Sequence, residues 1–217
     1  MERKISKDTL RAWQARDIKI IAIAGKRRTG KDILQNHIRG KFPTIPQYRI
    51  ADAPTEIARI LRIEPSREAQ HALFGVNALL FGLLGESAFK RRVSLMLKED
   101  APPIALIAAL RTEEEYYEFV TKWGGILIGL RASFETLHDR ARSAARTGGE
   151  KRDEAELTFQ AFMGDPVRGT GEYHPIEREI EGIVARAHII IENNFDTLEP
   201  FHAKIDEALD QLELSQI

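Results

Sequence analysis

Seven residues and the eight that follow them constrain this chain more than any other stretch. Ile18–Ala24 reads IKIIAIA and runs directly into Gly25-Lys26-Arg27-Arg28-Thr29-Gly30-Lys31-Asp32. The first segment is short, rich in Ile and bounded by glycine, which is the pattern of a strand buried on both faces. Helical spacing follows, from about Gly30 to Gly40. A strand that passes through two glycines into a helix can curl its backbone so that several N–H groups converge. Those groups, with the helix N-terminus, make a site for phosphate oxygens. The spacing G-x-x-x-x-G-K places Lys31 to reach the outer phosphates of a nucleotide. The residue after that lysine is ordinarily Ser or Thr, and here it is Asp32. A carboxylate suits Mg²⁺, directly or through water. The alternative is that Asp32 only favours the helix N-terminus.

The rest of the chain alternates in the same way. Tyr48–Ala51 is a weaker strand candidate, and helical spacing covers Ala53–Ile63 and stops before Pro65. Ser66 can cap a helix running through Leu84, with Gly85 ending it, and Glu86–Lys98 continues helical. Pro103–Ala109 is a second buried strand. Thr112 then caps TEEEYYEFVTKW, with three glutamates where the helix dipole favours them. Gly125–Leu130 and His188–Glu192 are further strands, followed by helices from about Ser133 and over Leu198–Leu212. Such alternation predicts a parallel sheet with helices on both faces. Arg140–Pro175 has no clear strand and reads as a helical excursion and loop, with turn residues concentrated in Gly164–Glu172. In residues 1–17, Leu10 and Trp13 are one turn apart. They fit either a short packed amphipathic helix or a partly ordered extension.

Composition sets outer limits. The chain has 217 residues, 43% hydrophobic and 30% charged, which predicts one soluble globular domain. Its 32 basic and 33 acidic side chains leave a net charge of -1, so no bulk attraction to polymeric nucleic acid or an anionic membrane is expected. No apolar run reaches the ~20 residues of a membrane span, and the charged start does not resemble a secretory signal. With no Cys, disulfides, thiolate nucleophiles and Cys-based zinc sites are excluded. This fits a reducing compartment, and a cytoplasmic location is the expectation.

GKRRTGKD resembles the loop of the P-loop nucleoside monophosphate kinase superfamily, in particular the branch with GKxxSGKD that holds deoxynucleoside monophosphate kinases and phosphomevalonate kinases. Three later segments resemble the same branch. Ser66–Gly75 (SREAQHALFG) is similar to its R-x-x-x-Q-x-L-G helix. Pro103–Arg111 with Glu113–Glu115 is similar to its strand ending D-x-R. Ile189–Glu199 (IIIENNFDTLE) is similar to its closing turn. Two departures stand out: Ala109 occupies the position of the strand-end Asp, and Asn194-Phe195 replaces an Asp-Gly pair. The resemblance implies a three-layer P-loop kinase fold with a five-stranded parallel sheet and a helical lid over about 140–175. It implies ATP as phosphoryl donor, Mg²⁺, and a small phosphorylated acceptor, most simply a (deoxy)nucleoside monophosphate. A dephospho-coenzyme A kinase-like enzyme and a nucleotide-binding regulatory protein without turnover are the alternatives.

Candidate residues follow. Gly25, Lys26, Arg28, Thr29, Gly30, Lys31 and Asp32, with Asn193 and Asn194 of the closing turn, are expected to bind the nucleotide, and Asp32 the metal. Asp52, Arg67 and Arg111 are acceptor candidates. Arg111 follows a buried strand, where open α/β sheets bind ligands, or else forms a salt bridge to Glu113–Glu115. Asp52 follows the second strand and is equally a helix-start residue. Phosphoryl transfer gathers cations around the moving group. Of the cluster Arg140, Arg142, Arg146 and Arg152, the pair Arg140 and Arg146 is preferred as lid arginines, with a solvated helix face as the alternative. Lys31, Arg111, Arg140 and Arg146 thus form the expected catalytic set. Phe74, Phe81 and Phe89 are core residues or a stack for an acceptor base, and the six His residues have no metal spacing.

Overall fold

Strand β1 (Lys19–Gly25) is flanked by a strand on each side and covered by helices on each face. In the computed structural model, residues 3–50, 52–63, 83–84, 86–146 and 175–214 are described; side chains at 54, 141, 144–146 and 175–178 are not. The other strands are β2 (Gln47–Arg49), β3 (Ile104–Leu110), β4 (Ile126–Arg131) and β5 (Ile189–Glu192). Their order is β2-β3-β1-β4-β5, every pair parallel. The segment Ser66–Leu84, apart from its last two residues, lies outside the described residues, as does 147–174 of the lid-like stretch.

Side chains alternate across a strand, and that period divides the core. Ile20, Ala22 and Ala24 join Ala105, Ile107 and Leu127 on one face. Phe89, Val93 and Leu97 of α4 (Ala88–Asp100) and Ile180, Ile183 and Val184 of α7 (Pro175–Ala185) pack there. Ala53 and Ile57 of α3 (Asp52–Ile60) join them. Ile21 and Ile23 join Leu106, Ile126 and Ile128 on the other face. Leu34 and Ile38 of α2 (Lys31–Lys41) cover that face with Phe201, Ile205 and Leu209 of α8 (Leu198–Asp210). Trp13 of α1 (Lys7–Gln14) completes this layer, its indole N–H donating to the Ile20 carbonyl at 2.9 Å. The packed-helix reading of the first 17 residues is therefore the observed one. Ser6 caps α1, and Arg3 forms an antiparallel bridge with Ile190 of β5.

Two local departures from regularity lie on the path toward the strand ends. The Thr112-capped segment makes one α-turn, α5 (Glu113–Tyr116), then widens into a π-helix over Tyr117–Lys122 rather than continuing as an α-helix. Glu118 is the reason visible in the contacts. Its backbone carbonyl accepts from Trp123 N–H at 3.1 Å, and its carboxylate accepts from the Trp123 indole and from Ser94 Oγ. A five-residue spacing meets on one face only in a widened turn. Against desolvation, hydrogen bonds from Lys122, Trp123 and Ser94 hold this buried carboxyl below its ordinary pKa. The second departure is in β3. Ala22 pairs with Ile107 but Ala24 pairs with Leu110, a bulge centred on Ala109, whose φ is +61°.

Just past that bulge, Thr112 and Glu115 form a reciprocal capping box. Glu115 also accepts the Arg111 N–H at 2.6 Å. Burial pushes its carboxyl up to about 7, while the Arg111 and Thr112 contacts oppose the rise. A raised folded-state pKa means the native state holds the proton more tightly, so this contribution is present below about 4.5 and is lost as pH rises through about 7. Glu115→Gln is expected to remove it. The stability of wild type relative to the variant, measured by urea unfolding, should fall by up to about 3 kcal/mol across that window. A difference that stays constant with pH would show that Glu115 does not titrate there.

Candidate functional site

The carboxyl ends of all five strands open on one edge of the sheet, and the loop from β1 to α2 lies at its centre. Gly25 closes β1 where a Cβ would sit 2.7 Å from Thr29 Oγ1 and 2.9 Å from the Leu130 carbonyl. Gly30 begins α2 at φ +97°, and Arg28 is left-handed as well, at φ +61°. Inside the loop, Thr29 is buried and its hydroxyl donates to the Lys26 carbonyl at 2.9 Å. Lys31 Nζ donates to the same carbonyl at 2.5 Å, so its ammonium lies across the loop. Two left-handed residues and a lysine folded inward make the concave, cationic turn that the sequence implies.

Two elements brace this turn. Asn193, directly after β5, is 2% exposed and its side-chain amide donates to the Thr29 carbonyl at 2.9 Å. Arg140 on α6 (Phe134–Arg146) donates to the Arg28 carbonyl at 3.1 Å, to Asn193 Oδ1 at 3.0 Å and to the Phe195 carbonyl at 2.9 Å. Burial draws its pKa down from the usual arginine value, with Asp196 acting in the opposite direction. Asn194 is exposed, and its Oδ1 accepts the Ser133 N–H at 2.6 Å at the start of α6. Asn193 and Arg140 therefore meet at the loop, while Asn194 bonds to the start of α6. Asn193 and Arg140 reach it through backbone carbonyls.

The other candidates fall around the same edge. Asp32, in the first turn of α2, has 83% of its side chain exposed and lies 3.4 Å from Arg49 of β2. Among the described residues, no three His, Asp or Glu side chains gather as a metal site. Asp52 is exposed at the start of α3. Arg111 is exposed past β3. Glu115 accepts its backbone N–H, and the alternative reading, a guanidinium salt bridge to Glu113–Glu115, is not seen among the described residues. Arg67, Arg152, Phe74 and Phe81 lie outside the described residues, while Phe89 is core. Arg146 ends α6 and its side chain is likewise outside them; Arg142 is exposed.

Sequence reasoning missed two groups. Glu181 of α7 pairs with Lys26, and a cavity of about 630 Å³ lies beside the loop. Lys26 and Thr29 line it, with Leu130 from β4, Phe134 and Leu137 from α6 and Val184 from α7. The alternation of β4 and the amphipathic spacing of α6 hint at these walls. That they face one space depends on packing between elements far apart in sequence.

No family model matches the chain, and no curated protein does. Among solved structures, shikimate kinase from Bacteroides thetaiotaomicron is similar with a TM-score of 0.53 at 17% identity, over 90% of this chain and 99% of that one. Shikimate kinase from Acinetobacter baumannii in complex with shikimate gives 0.47 at 18%, over 94% and 99%. The APS kinase of Mycobacterium tuberculosis gives 0.47 at 11%, over 90% and 97%. At such identities the likeness is one of fold alone. Five parallel strands ordered β2-β3-β1-β4-β5, clad by helices on both faces, form a P-loop kinase fold.

The loop makes a sharp stability test. A Cβ on Gly30 would lie 2.6 Å from Asn193 Nδ2 and 2.8 Å from Phe201 Cε1, on a left-handed backbone. Gly30→Ala is expected to lose about 3 kcal/mol. Gly40, in α2 with nothing within 4 Å, should gain about 0.5–1 kcal/mol on the same change. Denaturant unfolding of both variants checks this, and a Gly30→Ala protein as stable as wild type would refute the loop geometry.

Proposed function

We propose that this protein transfers a phosphoryl group from ATP to a small phosphorylated acceptor, a (deoxy)nucleoside monophosphate being the first choice. The observation that carries the reading is the loop Gly25–Lys31, with left-handed Arg28 and Gly30 and with Lys31 folded across it, at the centre of the strand-end edge. The resemblance of GKRRTGKD to the kinase branch supports the choice of acceptor; the fold supports the coarser reading of a P-loop kinase.

In this reading the loop N–H groups and the start of α2 hold the donor phosphates. Lys31 leaves the Lys26 carbonyl for the outer phosphates, where it offsets charge as the group moves. The cavity beside Lys26 and Thr29 has apolar walls (Leu130, Phe134, Leu137) suited to the donor's base. Arg111, exposed at the end of the strand beside β1, would hold the acceptor phosphate by its guanidinium fork. Asp52 would orient the acceptor from the end of β2. Asp32 fits a Mg²⁺ that takes one carboxylate and completes its shell with phosphates and water. When bound, that ion would neutralise phosphate charge. Tight placement supplies much of the acceleration in such transfers.

A second reading, nucleotide binding without turnover, rests on Ala109. It occupies the resembling family's strand-end Asp position, on a left-handed backbone at the bulge. An ADP-release assay with ATP and Mg²⁺ across all common NMPs and dNMPs, dephospho-coenzyme A, phosphomevalonate and shikimate decides between the two. Turnover with one acceptor supports the kinase. Nucleotide binding with no product from any acceptor supports the regulatory protein.

Two variants probe the assignments. Lys31→Ala is expected to fold normally by circular dichroism and to lose on the order of 10²-fold in turnover; wild-type rates would sink the phosphate-loop role. Asp32→Asn should weaken ATP binding in the presence of Mg²⁺ and leave metal-free ATP binding equal or slightly tighter, because the amide keeps the size but not the charge. Calorimetric titrations with and without Mg²⁺ distinguish this from a helix-terminus role, for which both would change alike.

A further inference from the structure

Two side chains from elsewhere in the fold donate hydrogen bonds to carbonyl oxygens of the phosphate loop. Arg140 holds the oxygen of Arg28 at 3.1 Å, and Asn193 holds the oxygen of Thr29 at 2.9 Å. The described peptide bonds are all trans, and in a trans peptide the C=O of one residue and the N–H of the next point in opposite directions. Fixing the Arg28 carbonyl therefore fixes the Thr29 N–H, and fixing the Thr29 carbonyl fixes the Gly30 N–H. Both N–H groups are aimed away from the grip. The Thr29 N–H has only a long contact, 3.5 Å, to the Lys26 carbonyl. That carbonyl is also where Lys31 Nζ rests.

We propose that Arg140 and Asn193 are positioning residues that preset two N–H donors of the phosphate loop by anchoring the carbonyls behind them. The inference rests on the kinase reading for its ligand but not for its geometry. Arg140 and Asn193 act as one device: the guanidinium also holds Asn193 Oδ1 at 3.0 Å, leaving the amide nitrogen of Asn193 turned to Thr29. The Arg140 fork spans three acceptors, the Arg28 carbonyl, Asn193 Oδ1 and the Phe195 carbonyl. A lysine offers one point charge and cannot span them. Arg28 contributes the strain that makes anchoring necessary, since a non-glycine residue at φ +61° relaxes unless held. Asn193 fills the space against Gly30, which closes the alternative path for that peptide. Donors fixed before the ligand arrives need no reorganisation on binding.

The test uses inorganic tripolyphosphate, which offers phosphate oxygens without base or sugar, on the full chain and on Arg140→Gln, Arg140→Lys, Asn193→Asp and the Arg140→Gln/Asn193→Asp double variant. Calorimetry should show about tenfold weaker binding in each single variant, from loss of a hydrogen bond to a positioned group. Arg140→Lys should not rescue. The double variant should lose clearly less than the product of the singles, as expected of residues in one network. Amide resonances of Thr29 and Gly30 in the ligand-free protein should move in every variant. If Arg140→Gln fails to fold, Arg140→Lys and Asn193→Ser carry the same readouts. Unmoved Thr29 and Gly30 resonances with binding within twofold of wild type would overturn the proposal. So would additive losses, or a fall in kcat with tripolyphosphate affinity unchanged, which would make Arg140 a direct contact of the transferring group. If wild type binds neither tripolyphosphate nor ATP, the kinase reading falls, and the resonances alone decide the positioning role.

Discussion

Everything in this structure depends on β1 being enclosed on all four sides. Strands β3 and β4 saturate its backbone, and the two helical layers take alternate side chains, so Ile20 through Ala24 have no contact with water. A strand so held has fixed ends. The backbone leaving Gly25 enters the turn from a known direction, and α2 is fixed by Leu34 and Ile38 on the far side. The turn is thus suspended between two buried supports. Its unusual dihedrals are sustained by packing that lies elsewhere.

That dependence explains what was legible in the residues and what was not. The apolar strands and the glycines of the turn are local signals. They announced the parallel sheet, its clad faces and the position of Lys31 because burial on both faces leaves no polar residue to blur the pattern. The three-residue β2 was the faintest strand, because a short edge strand has little pattern to show. The π-turn was invisible, since it depends on Ser94 and Trp123 meeting one buried carboxylate. The bulge at Ala109 was invisible too: an alanine gives no notice of a left-handed backbone.

Within the site, the residues that belong to a contiguous motif were found at once. For those that act across the fold, the residue type and region are legible but the contact is not. Arg140 was recognisable as a cation in the right region, but 112 positions separate it from the Arg28 carbonyl that it holds. No spacing rule reaches that far. Asn193 was found in a turn and expected to meet a ligand, whereas its burial turns it toward the loop backbone. Glu181 and its pairing with Lys26 had no signal, because a glutamate on an amphipathic helix is unremarkable until its neighbour is known.

The bridge between Arg3 and β5 has a bearing on how separate molecules behave toward one another. A parallel sheet ends in two rows of unpaired peptide groups, each a template on which a second molecule can add a strand. At the β2 border only three residues are offered. At the β5 border the Ile190 N–H is already taken by the Arg3 carbonyl at 3.3 Å, and the Arg3 guanidinium spans the carbonyls of Ala185 and Ala187. The two described borders are therefore limited by different means, brevity at one and a crossing segment of the same chain, which takes one β5 N–H, at the other. The few residues that lead into α1 thus also cover part of an edge on which a second molecule could add a strand.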